Sequence, residues 1–120
     1  MFRLRKVIDY SIVGSHYEKN LESQVRLLLK RGWTPHKKLF LIKKSEKFLY
    51  AREMVKYETN YKYIQNIVDY SIVASYNISD FQNTIQSLVK EGEWSIYKDL
   101  IMADDKYNNL YIRELVKYAN

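Results

Sequence analysis

From Lys6 to Gly14 polar and apolar positions alternate, with Ile8, Tyr10 and Ile12 on one face and Asp9 and Ser11 on the other. That period of two predicts a half-buried strand. The spacing then changes. Leu21, Val25, Leu28 and Leu29 fall at i, i+4, i+7 and i+8, the apolar stripe of an amphipathic helix near 19–31, and Gly32 stands where a left-handed C-terminal cap is wanted. Trp33 to Lys43 and Phe48 to Tyr57 read as a hairpin turning at Lys44-Ser45-Glu46-Lys47.

The pattern is then written again. Asp9-Tyr10-Ser11-Ile12-Val13-Gly14-Ser15 recurs as Asp69-Tyr70-Ser71-Ile72-Val73-Ala74-Ser75, and Leu21, Val25, Leu28, Leu29 and Gly32 meet Phe81, Ile85, Leu88, Val89 and Gly92. One inserted residue, Glu93, shifts the register, after which Trp33 meets Trp94 and the run 49–57 meets 110–118. Roughly a third of aligned positions are identical, spread along the whole unit, as expected of an internal repeat. The second copy predicts a strand through Val68, Tyr70 and Ile72, a helix near 79–91 started by a Ser79/Gln82 capping box, and a hairpin of Trp94–Ala103 and Leu110–Tyr118 turning at Asp104-Asp105-Lys106.

The expected fold class is therefore α+β: two tandem β-α-β-β repeats, 1–57 and 67–120, joined by a tyrosine-rich connector, 58–66. One helix on a three-stranded sheet leaves an edge and part of a face uncovered, at a size where a lone core is marginal. Pairing the units solves both problems. The expectation is one compact pseudo-dimeric domain, a pseudo-twofold antiparallel sheet/helix sandwich that imitates an isologous dimer.

Composition narrows the chemistry. The 120 residues contain no cysteine, three glycines and one proline. Disulfides, thiol nucleophiles, thiolate metal sites and glycine-rich phosphate loops are thereby excluded, and a cytoplasmic setting is the expectation. The N-terminal residues lack the apolar core of a signal peptide, and no apolar run reaches membrane-spanning length. The two histidines, His16 and His36, are counterparts of Tyr76 and Tyr97, show no ligand spacing or relay partner, and read as exposed loop residues. No catalytic residue, metal site or cofactor is expected, and the chain reads as a non-enzyme.

Charge separates the copies. Residues 1–60 hold 14 Lys+Arg against 6 Asp+Glu, a net +8, while residues 61–120 hold 6 against 8, a net −2. Lys37, Lys38, Lys43, Lys44 and Lys47 concentrate on the first hairpin, whose counterpart turns at Asp104-Asp105. Such a ribbon suits phosphates or an acidic protein surface, or simply solvation. A second candidate is an inter-repeat groove lined by Tyr50, Arg52, Tyr111 and Arg113. Because strand neighbours point to opposite faces, Arg52 and Glu53 cannot share one, and the pattern leaves open which of them is buried. The alternative to a groove is that Glu53 and Glu114 pair with lysine or arginine across strands or hydrogen-bond to a buried tyrosine. Trp33 and Trp94 read as helix-to-sheet anchors, and Tyr10, Tyr70, Tyr57 and Tyr118 as structural. The unrepeated tyrosines Tyr17, Tyr61, Tyr63, Tyr76, Tyr97 and Tyr107 are the better interface candidates.

Tyr10-Ser11-Ile12-Val13, the helix, Gly32-Trp33-Thr34-Pro35 and the closing Tyr50-x-Arg52-x-Met54-Val55-Lys56 together resemble a small bacterial and phage family, the domain of unknown function number 1737. Arg52 and Glu53 stand where that family has Gln and Ala, and Ile96 stands at the place of Pro35 in the second copy. The resemblance implies a fold and carries no activity. The duplicated strand-helix-strand-strand order also looks like the ligand-binding modules of gyrase-inhibitor-like proteins, by fold analogy alone. The functional expectation is a non-enzymatic binding protein, a phage or mobile-element modulator or inhibitor that binds a protein partner. The alternatives are a nucleic-acid-binding module that uses the basic hairpin and a protein that sequesters a small anionic, nucleotide-like ligand. No membrane partner is expected, and the pattern leaves the oligomeric state open.

Overall fold

The computed structural model describes residues 6–44, 47–58, 66–105 and 108–119. The proposed turn residues Ser45, Glu46 and Lys106, most of the connector, and Tyr61, Tyr63 and Tyr107 lie outside them. Eight elements follow in order: β1 (Val7–Ser15), α1 (Glu18–Lys30), β2 (Thr34–Lys44), β3 (Lys47–Tyr57), β4 (Ile67–Ser75), α2 (Ile78–Lys90), β5 (Ser95–Asp105) and β6 (Asn108–Tyr118). They form an α+β structure of two helices and two three-stranded antiparallel sheets, ordered β1-β3-β2 and β4-β6-β5.

The local signals act where they stand. Gly32 and Gly92 take φ of 89° and 82° just past the helix ends, a conformation that costs glycine little. The start of α2 differs from expectation: Asn77 is the N-cap, its side chain accepting from the Asp80 N–H at 3.0 Å. Asn77 does so because it stands on the extended residue before the first turn, where a side-chain oxygen reaches the third amide, while Ser79 already lies inside the helix.

Registers match between the halves. Tyr10 stands opposite Val55 and Ile12 opposite Glu53, as Tyr70 stands opposite Val116 and Ile72 opposite Glu114. The first strand of each hairpin, β2 and β5, breaks register at the same place, between His36 and Phe40 and between Tyr97 and Ile101. Inside each bulge a lysine has positive φ, Lys37 at 59° and Lys98 at 62°, a conformation uncommon for a residue with a side chain.

The contact between the halves is not twofold. The second sheet is covered on both faces. On one, α2 packs Phe81, Ile85 and Leu88 against Val73, Leu115 and Trp94. On the other, Tyr70, Ile72, Ile112 and Val116 join Leu21, Val25, Leu39, Tyr50 and Met54 of the first half in the main core. Helix α1 lies between, packed on β1 and β3 of its own half and on β4 of the other, whereas no comparable packing joins α2 to β1 among the described residues. A twofold would require that reciprocal contact, so the expected isologous arrangement is not what the described residues form. Among the described residues no helix or second sheet covers the first sheet's outer face. Tyr10 and Ile12, expected to be half-buried and structural, are 50% and 55% exposed, against 0% and 8% for Tyr70 and Ile72.

Candidate functional site

The five hairpin lysines sit on two stretches of β2 and at the start of β3. Lys37 and Lys38 occupy the bulge, Lys43 and Lys44 end β2, Lys47 opens β3, and all five are exposed. The register sets Lys44 directly opposite Lys47 and Lys43 opposite Phe48, and the Lys43 ammonium lies 5.8 Å from the Phe48 ring centroid. None of the five takes part in an ion pair among the described residues. In the second hairpin Asp104 and Asp105 face Asn109 and Asn108. The structure therefore brings Lys43, Lys44 and Lys47 into one positive tip and leaves Lys37 and Lys38 farther along the strand.

The four groove candidates are not brought together. Arg52 is fully buried, its Nη1 donating to the His36 carbonyl at 2.8 Å and its Nη2 to the Lys37 carbonyl at 2.6 Å. Its Nε lies 2.8 Å from Glu114 Oε2, but the N–H is not aimed at that oxygen, so the contact is an ion pair without a hydrogen bond. Glu114, also fully buried, accepts from the Leu39 N–H at 2.9 Å and from the Tyr70 hydroxyl at 2.7 Å. Because Glu114 faces the first half, its strand neighbour Arg113 must face the other side of the sheet, with Tyr111, whose ring sits 5.9 Å from that of Phe81. Tyr50 is buried and donates to Glu18 Oε1 at 2.9 Å. One pair thus belongs to the core between the halves and the other to the α2 side.

The buried network has a clear electrostatic character. Loss of water pushes the Glu114 carboxyl above its ordinary value, opposed by the Arg52 charge and by the Leu39 and Tyr70 hydrogen bonds. Burial, reinforced by Glu114, raises the Tyr70 phenol well above 10.0. The same dehydration raises Tyr97, whose ring stacks 5.7 Å from the Arg52 guanidinium. These groups hold the two halves together.

A second polar set closes the edge of β4. Glu22, 7% exposed, accepts from the Ile72 N–H at 2.6 Å and the Ser71 hydroxyl at 2.9 Å, and Arg26 Nε meets Asp69 at 2.8 Å. A helix carboxylate on an edge amide blocks further strand pairing there. Sequence reasoning passed over Glu22 and Arg26. The available signal was a difference between copies, since Glu22 and Arg26 become Gln82 and Gln86. Between α1 and α2, above β4, runs an open groove of about 620 Å³ lined by Glu18, Glu22, Arg26, Asp80 and Thr84 among others. Three of those charges are already engaged, by Tyr50, Ile72 and Asp69.

The histidines are apart. His16 is exposed, with Nδ1 3.1 Å from the Phe48 carbonyl. His36 lies within β2 and is only half-exposed, so it is a strand residue and not the expected loop residue. Among the described residues no group of His, Asp and Glu could hold a metal ion, and no helix is long and apolar enough to cross a membrane. Comparison with protein-family models, with curated proteins and with solved structures finds no match for the chain.

Proposed function

We propose that the two halves are tandem copies of one β-α-β-β module joined head to tail, and that the chain is a non-enzymatic binding protein whose basic hairpin tip engages an acidic protein partner. The observation that carries the binding reading is the tip itself. Lys44 and Lys47 face each other across the strand pair with Lys43 beside them and no acid paired to them among the described residues. Like charges directly opposite are destabilising, and a complementary surface relieves that repulsion while steering encounter. The second hairpin, with Asp and Asn at these positions, lacks the feature. A phage or mobile-element modulator is the setting suggested by the family resemblance and by the Lys-, Ile-, Tyr- and Asn-rich composition. The groove for a small anion loses support, because Arg52 is occupied by Glu114 and two carbonyls.

The test titrates the full chain against polyglutamate and against a short DNA duplex across a salt series. Polyglutamate should bind, and charge reversal of Lys43, Lys44 and Lys47 should weaken it by more than about tenfold, about 1.4 kcal/mol, with the melting temperature unchanged. Neutralising Asp104 and Asp105 should do much less. Retention of DNA alone, with a steep salt dependence, would replace the protein partner by a nucleic acid.

A further inference from the structure

The interface between the halves has two sides, and each side occurs a second time in the chain with nothing packed on it among the described residues. The first side belongs to the first half: α1 with Leu29, the β2 bulge with Leu39, and Arg52. The second belongs to the other half: the outer face of the β4-β6-β5 sheet with Tyr70, Ile72 and Glu114. The counterparts of the first side in the second half are Val89, Leu100 and Arg113, and those of the second side in the first half are Tyr10, Ile12 and Glu53.

Exposure follows this pairing position by position. Leu39 is 1% exposed and Leu100 46%, and Ile72 is 8% exposed and Ile12 55%. Pro35 is buried and half-buried Leu41 packs on the core, while Ile96 and Met102, in their places, are 49% and 57% exposed. Val89, Leu100 and Met102 of the second half are thus exposed copies of Leu29, Leu39 and Leu41, which pack into the core shared with the second half's own sheet. Exposed apolar surface left by an unused copy of an interface is a candidate interaction site.

The polar parts are also built and half-finished. The Tyr10 hydroxyl donates to Glu53 Oε2 at 2.8 Å, matching Tyr70 and Glu114 at 2.7 Å, but Glu53 has no cation among the described residues. At the other end the β5 bulge already has its positive-φ lysine, Lys98, in the geometry that at Lys37 presents a carbonyl to Arg52. Arg113 has no carboxylate there among the described residues.

We infer that the occupant of each free face is a second copy of this chain, docked head to tail, so that the Tyr10–Glu53 face of one molecule seats on the α2 and β5-bulge face of the next. This rests on the head-to-tail reading of the two halves and is independent of the lysine tip. Glu53 then accepts the Leu100 N–H and pairs with Arg113 of the neighbour, as Glu114 accepts the Leu39 N–H and pairs with Arg52 within the chain. Asp9 and Ser11 meet Gln86 and Gln82 where Asp69 and Ser71 meet Arg26 and Glu22. Exchange of two charged partners for amides makes the contact between chains weaker than the one within, since charge-assisted hydrogen bonds are the stronger. Such a contact is heterologous, so it closes into a ring or runs on as a filament.

The test is sedimentation of the full chain over a concentration series, with Ile12→Asp to spoil one face and Leu100→Asp to spoil the other. Both residues are exposed, so the folded monomer tolerates either change, checked by melting. The wild type should form species larger than a monomer as concentration rises, and each variant alone should stay monomeric. An equimolar mixture of the two should form a one-to-one dimer and stop there, because each molecule keeps one intact, complementary face. A wild type monomeric over its whole soluble range overturns the inference and hands these faces to another partner. A Leu100→Asp chain that assembles like the wild type overturns it in favour of a symmetric dimer through β1, and a mixture that stays monomeric overturns it outright. Failure of the head-to-tail reading itself would appear separately, as a Glu114 substitution that leaves stability unchanged.

Discussion

Replacing Glu114 by Gln removes the only carboxylate paired with Arg52 among the described residues while preserving shape. Arg52 keeps its two hydrogen bonds to the His36 and Lys37 carbonyls at 2.8 and 2.6 Å, but its full charge stays at 0% exposure with no counter-charge. Breaking a buried pair by removing one partner costs about 3–5 kcal/mol. The two surviving carbonyl contacts place this case near the lower end, about 3 kcal/mol. A chain of this length has about 6–18 kcal/mol in total, from about 0.05–0.15 kcal/mol per residue, so the loss is a large fraction of stability. With a urea m-value of about 2 kcal/mol/M the midpoint should fall by about 1.5 M without a change in slope. Glu53→Gln is the internal control: it is the matching residue in an exposed pair, and on dilute protein it should shift stability by less than about 0.5 kcal/mol. Arg52→Met combined with Glu114→Leu should cost less than either single change, because no unpaired charge is left behind. A Glu114→Gln midpoint no lower than that of Glu53→Gln would refute the claim that this ion pair is sealed between the halves.

Leu21, 0% exposed and shared by α1 with the core between the halves, should cost about 2–5 kcal/mol as Leu21→Ala, read by chemical denaturation. Glu22→Ala exposes the Ile72 N–H and Ser71 hydroxyl at an edge strand; a loss of about 1–3 kcal/mol is expected, with faster amide hydrogen exchange at Ile72. The phenols of Tyr50, Tyr70 and Tyr97 all lie above 10.0, burial being the largest cause in each. Their contribution to stability is complete below pH 10, and it is lost above that as the unfolded chain ionises first. Melting temperature should therefore fall from pH 10 upward, and less steeply in Tyr50→Phe.

The sequence by itself determined what is local. Period two in 6–14, the i, i+4, i+7, i+8 stripe in 21–29 and the glycines after each helix placed the elements within a residue or two, because each signal is read by backbone neighbours alone. The duplication determined that the same elements come twice. The lysine tip was equally legible, since two strands of a hairpin meet across their turn whatever else the chain does. Only the tertiary structure decided which faces meet. Ile12 and Ile72 are near-identical in their local sequence, and Leu39 and Leu100 hold the same place after a matching bulge, yet each pair is opposite in burial. That difference arises because α1 and the β2 bulge pack against the second sheet, whereas nothing comparable packs α2 against β1 among the described residues. Which of Arg52 and Glu53 lies inside stayed open for the same reason, since a strand shows that neighbours face opposite ways but not which face the rest of the molecule will cover.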